Sequence, residues 1–276
     1  MALISVIMGV YNCAPTVEEA IDSILNQTVT DWEFVICDDG SSDSTYDVVQ
    51  QYAQRYPDKF ILLKNEKNMG LNATLNRCLE HAGGTYIARM DGDDSCEPTR
   101  FAVELEVLEK EPEIAIVSTD MACFDEGGVW GHMTHPLMPT KRDFLYGTPF
   151  CHAPCMVRRE AYEAVAGYSV GPRFERVEDY HLWFKMYRAG FVGKNLRVAL
   201  YYMRDDRNAN KRRKFSHRVN EAYIRILAIR EFKLPFWTYV FAMRPILVGL
   251  LPMKLYDILH KLHLRVIQEL KKAKKI

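Results

Sequence analysis

Three groups of carboxylates stand out in this sequence of 276 residues: Asp38-Asp39, Asp91-Gly92-Asp93-Asp94 and Glu178-Asp179. Carboxylates held close together repel one another, and a divalent cation is the obvious group to offset that repulsion. In the second group, Gly92 permits a tight turn that lets Asp91 and Asp93 face one site. Hard carboxylate oxygens suit Mg²⁺ or Mn²⁺, which take one or two carboxylates and complete their shell with substrate phosphates. Asp and Gly are also ordinary turn residues, so Asp-x-Asp alone reads equally well as a plain turn. An EF-hand is excluded, because counting from Asp91 it needs Gly where Cys96 stands and Glu where Ala102 stands. The Asp38–Asp43 run is either a turn with a helix cap or a carboxylate placed to accept a hydrogen bond from a nucleobase N–H. Neither G-x-x-x-x-G-K-[ST] nor G-x-G-x-x-G occurs, so a nucleotide bound here would need a metal to neutralise its phosphates.

The elements that must position these groups follow from periodicity. Short apolar runs at 3–10, 33–37, 60–63, 86–90 and 114–118 read as buried strands. Between them lie helical patterns: one opening at Pro15, with Thr16 and Glu19 at capping-box spacing, then 46–52, 71–79 and 99–108. Strands alternating with helices predict a doubly wound, mostly parallel sheet. In such sheets ligands bind at the carboxyl ends of strands, and Asp38-Asp39 and Asp91–Asp94 each follow one. Residues 120–177, punctuated by Gly and Pro, read as loops and short strands, where an acceptor site would vary. A helix at 179–187 and a strand at 198–203 follow, then helices at 216–232, 236–251 and 254–270.

Charge divides the chain. Residues 204–276 carry 18 Lys and Arg against 6 Asp and Glu, a net of +12, while residues 1–203 carry −12. The overall balance is zero, which excludes a strongly basic nucleic-acid binder. The basic part ends in an amphipathic pattern. Lys254, Lys261, Arg265 and Lys272 lie on one stripe, beside Leu255, Ile258, Leu259, Leu262, Val266 and Leu270. Such a helix suits an anionic membrane surface; the alternative is packing on the body or on a second subunit. The apolar stretch from Phe236 to Pro252 is interrupted by Arg244 and Pro245 and is too short to span a bilayer. The seven cysteines contain no C-x-x-C, and their spacing favours reduced thiols over disulfides or a structural zinc. The opening MALISVIMGVYN lacks a basic signal-peptide start, giving the expectation of a cytoplasmic protein at the inner face of the cell membrane.

ISVIMGVYN, DSILNQT, EFVICDDGSSDST, NEKNMGLNATLNRCLEHAGGTYIARMDGDD and VEDYHLW occur in this order over residues 3–203. Together they resemble the family 2 glycosyltransferases of GT-A fold, and RDDRNANKRRKFSHR resembles a bacterial branch of them. The resemblance implies an α/β, Rossmann-like catalytic domain over 1–203, followed by a basic helical extension over 204–276. Its nucleotide-sugar half would be about 1–118 and its acceptor half 119–203. It implies an inverting transfer from a UDP-sugar to a saccharide or lipid-linked acceptor, assisted by Mn²⁺ or Mg²⁺, in bacterial polysaccharide or glycolipid assembly. By position, Val10 and Tyr11 would border the uracil and Asp39 would accept its N3–H. Asp91 would lie near the ribose and the metal's water shell, Asp93 would bind the metal, and Asp179 would be the general base. Arg204-Asp205-Asp206 stands where many relatives have R-x-H, which makes Asp206 a candidate metal ligand. Glu178, His152 and Trp183 fall on the acceptor side, and Arg173 and Arg176 stand within reach of phosphate oxygens. Q-x-x-R-W is missing, so one transfer per encounter is expected. Two other readings are a silent nucleotide- or membrane-binding module and a sugar nucleotidyltransferase. The second would carry a glycine-rich basic loop near its start, unlike Gly9-Val10-Tyr11-Asn12.

Overall fold

The computed structural model describes residues 2–205 and 214–250. Asp206, most of the basic cluster at 211–214 and the expected helix 254–270 lie outside the described residues. Strand β1 (Ile4–Val10) pairs in parallel with β2 (Trp32–Asp38) on one side and β4 (Tyr86–Arg89) on the other, and β3 (Phe60–Lys64) extends beyond β2. The winding therefore reverses between β1 and β4, which opens a crevice at their carboxyl ends. Past β4 the sheet continues through antiparallel β8 (Met156–Arg158), β6 (Ile114–Asp125), β9 (Val192–Arg204) and the two-residue β5 (Ser95–Cys96). A hairpin strand, β7 (Gly128–Met133), pairs with β6. This is the α/β, mostly parallel sheet that the alternation predicts.

Side chains alternate across the sheet, as period-two geometry requires. Ile4, Val6 and Met8 of β1 pack with α1 (Val17–Leu25), α2 (Thr45–Arg55) and α4 (Arg100–Lys110) on one face. Ile7 of β1, with Val35 and Cys37 of β2, packs on the other face with α3 (Leu71–His81) and α6 (Glu178–Arg188). Ile224 and Ala228 of α7 (Phe215–Glu231) lie fully buried in that same second cluster. The first helix of the basic extension is thus part of the body's core. It ends beside α8 (Tyr239–Leu250).

Three local expectations change. Thr16 does not cap α1 with its side chain; its hydroxyl donates to the Gly92 carbonyl at 2.9 Å and ties the helix entry to the Asp91–Asp94 turn. The strands expected at 114–118 and 198–203 run as far as Asp125 and back to Val192, because each pairs along most of its length with the other. The region read as loops and short strands holds such strands, β7 and β8, and in addition a helix, the short α5 (Arg159–Ala164).

Candidate active site

A cavity of about 730 Å³ opens at the carboxyl end of β1. Val10, Tyr11 and Asp39 line it from the strand ends, Asn68–Asn72 from the entry to α3, and Val170–Pro172, Arg176 and Glu178 from the far wall. Tyr11 is exposed and free to stack. Asp39 is buried and already oriented. Its Oδ1 accepts from Asn65 Nδ2 at 2.8 Å and from the Met69 amide at 2.7 Å, and its Oδ2 accepts from the Gly70 amide at 2.9 Å. A carboxylate has about four acceptor sites, so three such bonds leave it one for a ligand. Asp38 is buried behind it and receives the Ser41 amide at 3.1 Å.

The Asp91–Asp94 turn leaves β4 beside this cavity. Gly92 is required there for space: a Cβ would meet Cys13 Sγ at 2.9 Å and Val10 Cγ1 at 3.0 Å. Asp94 is an anchor, buried and accepting the Arg204 amide of β9 at 2.8 Å. The Arg204 guanidinium donates to the Asp93 carbonyl at 3.0 Å and pairs with Glu19 at 2.5 Å. Asp91 Oδ1 meets Arg89 Nη2 at 2.5 Å, and its amide donates to Tyr201 Oη at 3.1 Å. Asp93 is exposed as a residue, yet desolvation of its carboxyl, followed by the Asp91 charge, pushes its titration up.

Arg89 is the residue that sequence reasoning missed. It is buried at the end of β4, and its charge acts on Asp91, Asp93, Glu178, Asp179 and His152. The sequence signal was there: a charged residue in a four-residue strand that is otherwise buried. Arg100 of α4 secures the position. Fully buried and paired with Glu104 at 3.2 Å, it donates to the Arg89 carbonyl at 3.0 Å.

At the start of α6, burial pushes Glu178 up to about 7, with the Asp179 charge adding to the effect. Burial also raises Asp179, against hydrogen bonds from the Tyr180 amide and the Thr148 hydroxyl and the charge of Arg89. Glu178, expected toward the acceptor, lines the same cavity as Tyr11 and Asp39. His152 Nε2 lies 2.8 Å from Tyr168 Oη, and burial followed by the Arg89 charge holds its imidazole neutral. Trp183 does not flank a cleft. It is fully buried against Phe150 and His152, one turn along α6 from Asp179 and pointing into the core. Arg173 likewise turns away from phosphate reach, lying over the Tyr223 ring of α7 at 4.7 Å. Arg176 does line the cavity, from a left-handed backbone at φ 62°.

The wall at 168–176 is held by asparagines from two separate helices. Asn72 Nδ2 donates to the Ser169 carbonyl at 2.8 Å and Asn76 Nδ2 to that of Tyr168 at 2.8 Å, both from α3. Asn220 of α7 donates to the carbonyls of Pro172 at 2.9 Å and Glu175 at 3.2 Å. Among the described residues, no group of three or more His, Cys, Asp or Glu is arranged to hold a metal by itself. Asp91 and Asp93 are two hard-oxygen carboxylates, and the Asp91 charge adds to the desolvation that pushes Asp93 up, so the pair fits a divalent cation that shares its shell with phosphate.

The family model described as Glycosyl transferase family 2 matches residues 5–166. A Bacillus subtilis protein named as the putative glycosyltransferase EpsE is 42% identical over 258 residues, 94% of this chain and 93% of that one. The Escherichia coli UDP-Glc:alpha-D-GlcNAc-diphosphoundecaprenol beta-1,3-glucosyltransferase WfaP is 26% identical over 226 residues, 81% and 86% of the two chains. The crystal structure of Staphylococcus aureus TarS 1–349 in complex with UDP-GlcNAc superposes with a TM-score of 0.63 at 18% identity. That match covers 90% of this chain and 71% of the TarS 1–349 chain, and shows a shared fold.

Proposed function

The chain belongs to glycosyl transferase family 2, with the GT-A fold, and from that membership we propose that it moves one sugar from a UDP-sugar to a hydroxyl of a saccharide or lipid-linked acceptor, with inversion, in bacterial polysaccharide or glycolipid assembly. One observation carries the reading: Glu178, far along the chain, lines the cavity that holds Tyr11 and Asp39, and the buried Arg89 that pairs with Asp91 at 2.5 Å also acts on Glu178 by its charge. The UDP-GlcNAc of TarS and the lipid-diphosphate acceptor in the name of WfaP support the two substrate classes. In this reading residues 1–118 bind the donor, 119–203 receive the acceptor, and the basic part from 204 onward meets an anionic membrane at its cytoplasmic face.

Val10 and Tyr11 border the base, and Asp39 accepts its N3–H with the acceptor site that its three hydrogen bonds leave open. Asp91, held by Arg89, lies toward the ribose, and Asp91 and Asp93 hold Mn²⁺ or Mg²⁺. That ion, when bound, supplies Lewis-acid stabilisation to the departing diphosphate. Asp179 takes the acceptor's hydroxyl proton while the freed oxygen attacks C1 opposite the leaving group. The O–H and C1–O–phosphate bonds break, the new glycosidic bond forms, and UDP leaves. The neutral His152 orients the acceptor hydroxyl, and the charge of Arg89 favours the ionised form of Asp179 against its burial.

The test is a panel of UDP-, GDP- and dTDP-sugars with Mn²⁺, with and without EDTA, read as nucleotide release. UDP freed from one UDP-sugar and abolished by EDTA is the expected result. Pyrophosphate release would assign a nucleotidyltransferase instead. Calorimetry of UDP binding to the wild type and to Asp93→Ala is the second arm. Absence of binding to either would overturn the donor site.

A further inference from the structure

Helix α8 and the turn before it leave an apolar stripe uncovered. Phe236 is 85% exposed, Val240 63%, Leu247 59% and Leu250 67%, with Trp237 and Met243 exposed between them. Spacings of four, three, four and three residues along 236, 240, 243, 247 and 250 put these side chains on one face. The opposite face is fixed. Ala242 and Pro245 are buried, and Phe241 packs on Tyr146 edge to face, with ring centroids 5.4 Å apart. The buried Arg225 of α7 donates to the Phe241 carbonyl at 2.9 Å and to the Tyr146 carbonyl at 3.0 Å. The stripe therefore cannot roll inward without breaking this anchor.

We propose that this stripe is the surface by which the protein lies on an anionic phospholipid bilayer. The inference rests on the membrane contact proposed for the basic extension and says which face makes it. Three features select lipid over a protein partner. Two exposed aromatic residues at its start, Phe236 and Trp237, are followed by Val240, Met243, Leu247 and Leu250 along the face, a combination found in helices that lie in the interface plane. No acidic residue occurs from Phe232 through Tyr256, while Lys233, Arg244 and Lys254 are basic. The 26 residues that follow Leu250 in the sequence carry seven Lys and Arg against two acids, a charge that complements anionic headgroups. The described part of the helix has 12 residues, roughly 18 Å at its rise per residue, and is interrupted by Arg244 and Pro245, which suits lying along a bilayer. Among the described residues no helix is long and apolar enough to span. The same α7 that anchors α8 grips the cavity wall through Asn220, so one helix ties the proposed membrane surface to the site.

The experiment is flotation of the full chain with vesicles of phosphatidylcholine containing phosphatidylglycerol, against phosphatidylcholine alone, without substrate. The comparison protein is the triple variant Trp237→Ser, Val240→Ser, Leu247→Ser, all exposed positions, with thermal melting as the check on folding. Wild type should float with the anionic vesicles, and the variant should lose at least about tenfold in partitioning at an unchanged melting temperature. Equal flotation of the two would overturn the stripe and leave the contact to the rest of the extension. No flotation of wild type would overturn both readings. Sedimentation velocity without lipid is the second arm: a dimer that the triple variant dissociates would assign the stripe to a second copy of the chain and overturn the inference.

Discussion

Asp179 sits at the start of α6 with its carboxyl raised by burial, while Arg89 and two hydrogen bonds pull the other way. As a general base it works only when ionised, so kcat/KM should fall as pH drops through a value above the ordinary carboxylate range. That limb belongs to the Glu178–Asp179 pair, and Glu178 alone is pushed up to about 7. Arg89→Met removes a charge that favours ionisation and should move the acid limb to higher pH, whereas Arg89→Lys should hold it near its place. A pH–rate profile of the three proteins checks this, and coincident limbs would remove Arg89 from its role. Asp179→Asn should lower kcat by roughly 10²–10⁴ with UDP affinity within about threefold of wild type. Single-turnover transfer and calorimetry read the two quantities, and normal turnover would sink the assignment. At this scale the candidate residues were legible as runs, Asp39, Asp91, Asp93 and Asp179 among them; Tyr11 and Asp39 share a cavity, while Asp91, Asp93 and Asp179 are not among the residues that line it. Arg89 was not singled out, because a lone cation in Tyr-Ile-Ala-Arg-Met has no local partner in sequence until the turn folds Asp91 back onto it. Trp183 was misplaced because helical spacing gives the face of a residue only once the neighbours of that helix are known.

Among the elements, α4 does the least visible work. Arg100 and Glu104 form an ion pair with both side chains wholly out of water, inside a helix whose other inward residues are apolar. Burial pushes Glu104 up to about 7 in spite of its partner. Arg100→Met strands that carboxyl and frees the Arg89 carbonyl, so it should cost about 3–5 kcal/mol in urea unfolding. Adding Glu104→Leu to it should recover a large part of that loss. If the single change is silent, the pair is not holding β4. The turn after β4 responds to volume instead. Gly92→Ala drives a methyl into Cys13 and Val10, and should weaken UDP binding by about 1–3 kcal/mol, checked by calorimetry. The five parallel-sheet strands were readable as short apolar runs between helices. By contrast β8 has three residues just after Pro154, and β9 opens with Val192, Gly193, Lys194 and Asn195, so β8 and the first part of β9 present no apolar run, although 198–203 does. Their pairing with β4 and β6 supplies what their sequences lack.

Across the whole molecule, the break in charge near residue 204 does not coincide with a break in packing. Ile224 and Ala228 of α7 are buried with Trp183, so a chain ending at 203 would expose that core and should fail to fold cooperatively. A chain ending at 250 keeps every described contact and should retain a sharp melt and UDP binding. Differential scanning fluorimetry with and without UDP distinguishes the two, and a cooperative melt for the shorter chain would restore 204 as a true domain boundary. The cavity wall at 168–176 has a further meaning. Asn72, Asn76 and Asn220 grip it only by main-chain groups, the carbonyls of Tyr168, Ser169, Pro172, Phe174 and Glu175 and the amide of Tyr168. Main-chain groups are common to all amino acids, so this grip is indifferent to which side chains the wall displays. The side chains of Arg173 and Glu175 also touch Tyr223 and His217 of α7. Over evolutionary time, or in a directed library, the exposed position 170 can be rewritten for a new sugar or acceptor while the path of the wall stays where three asparagines put it.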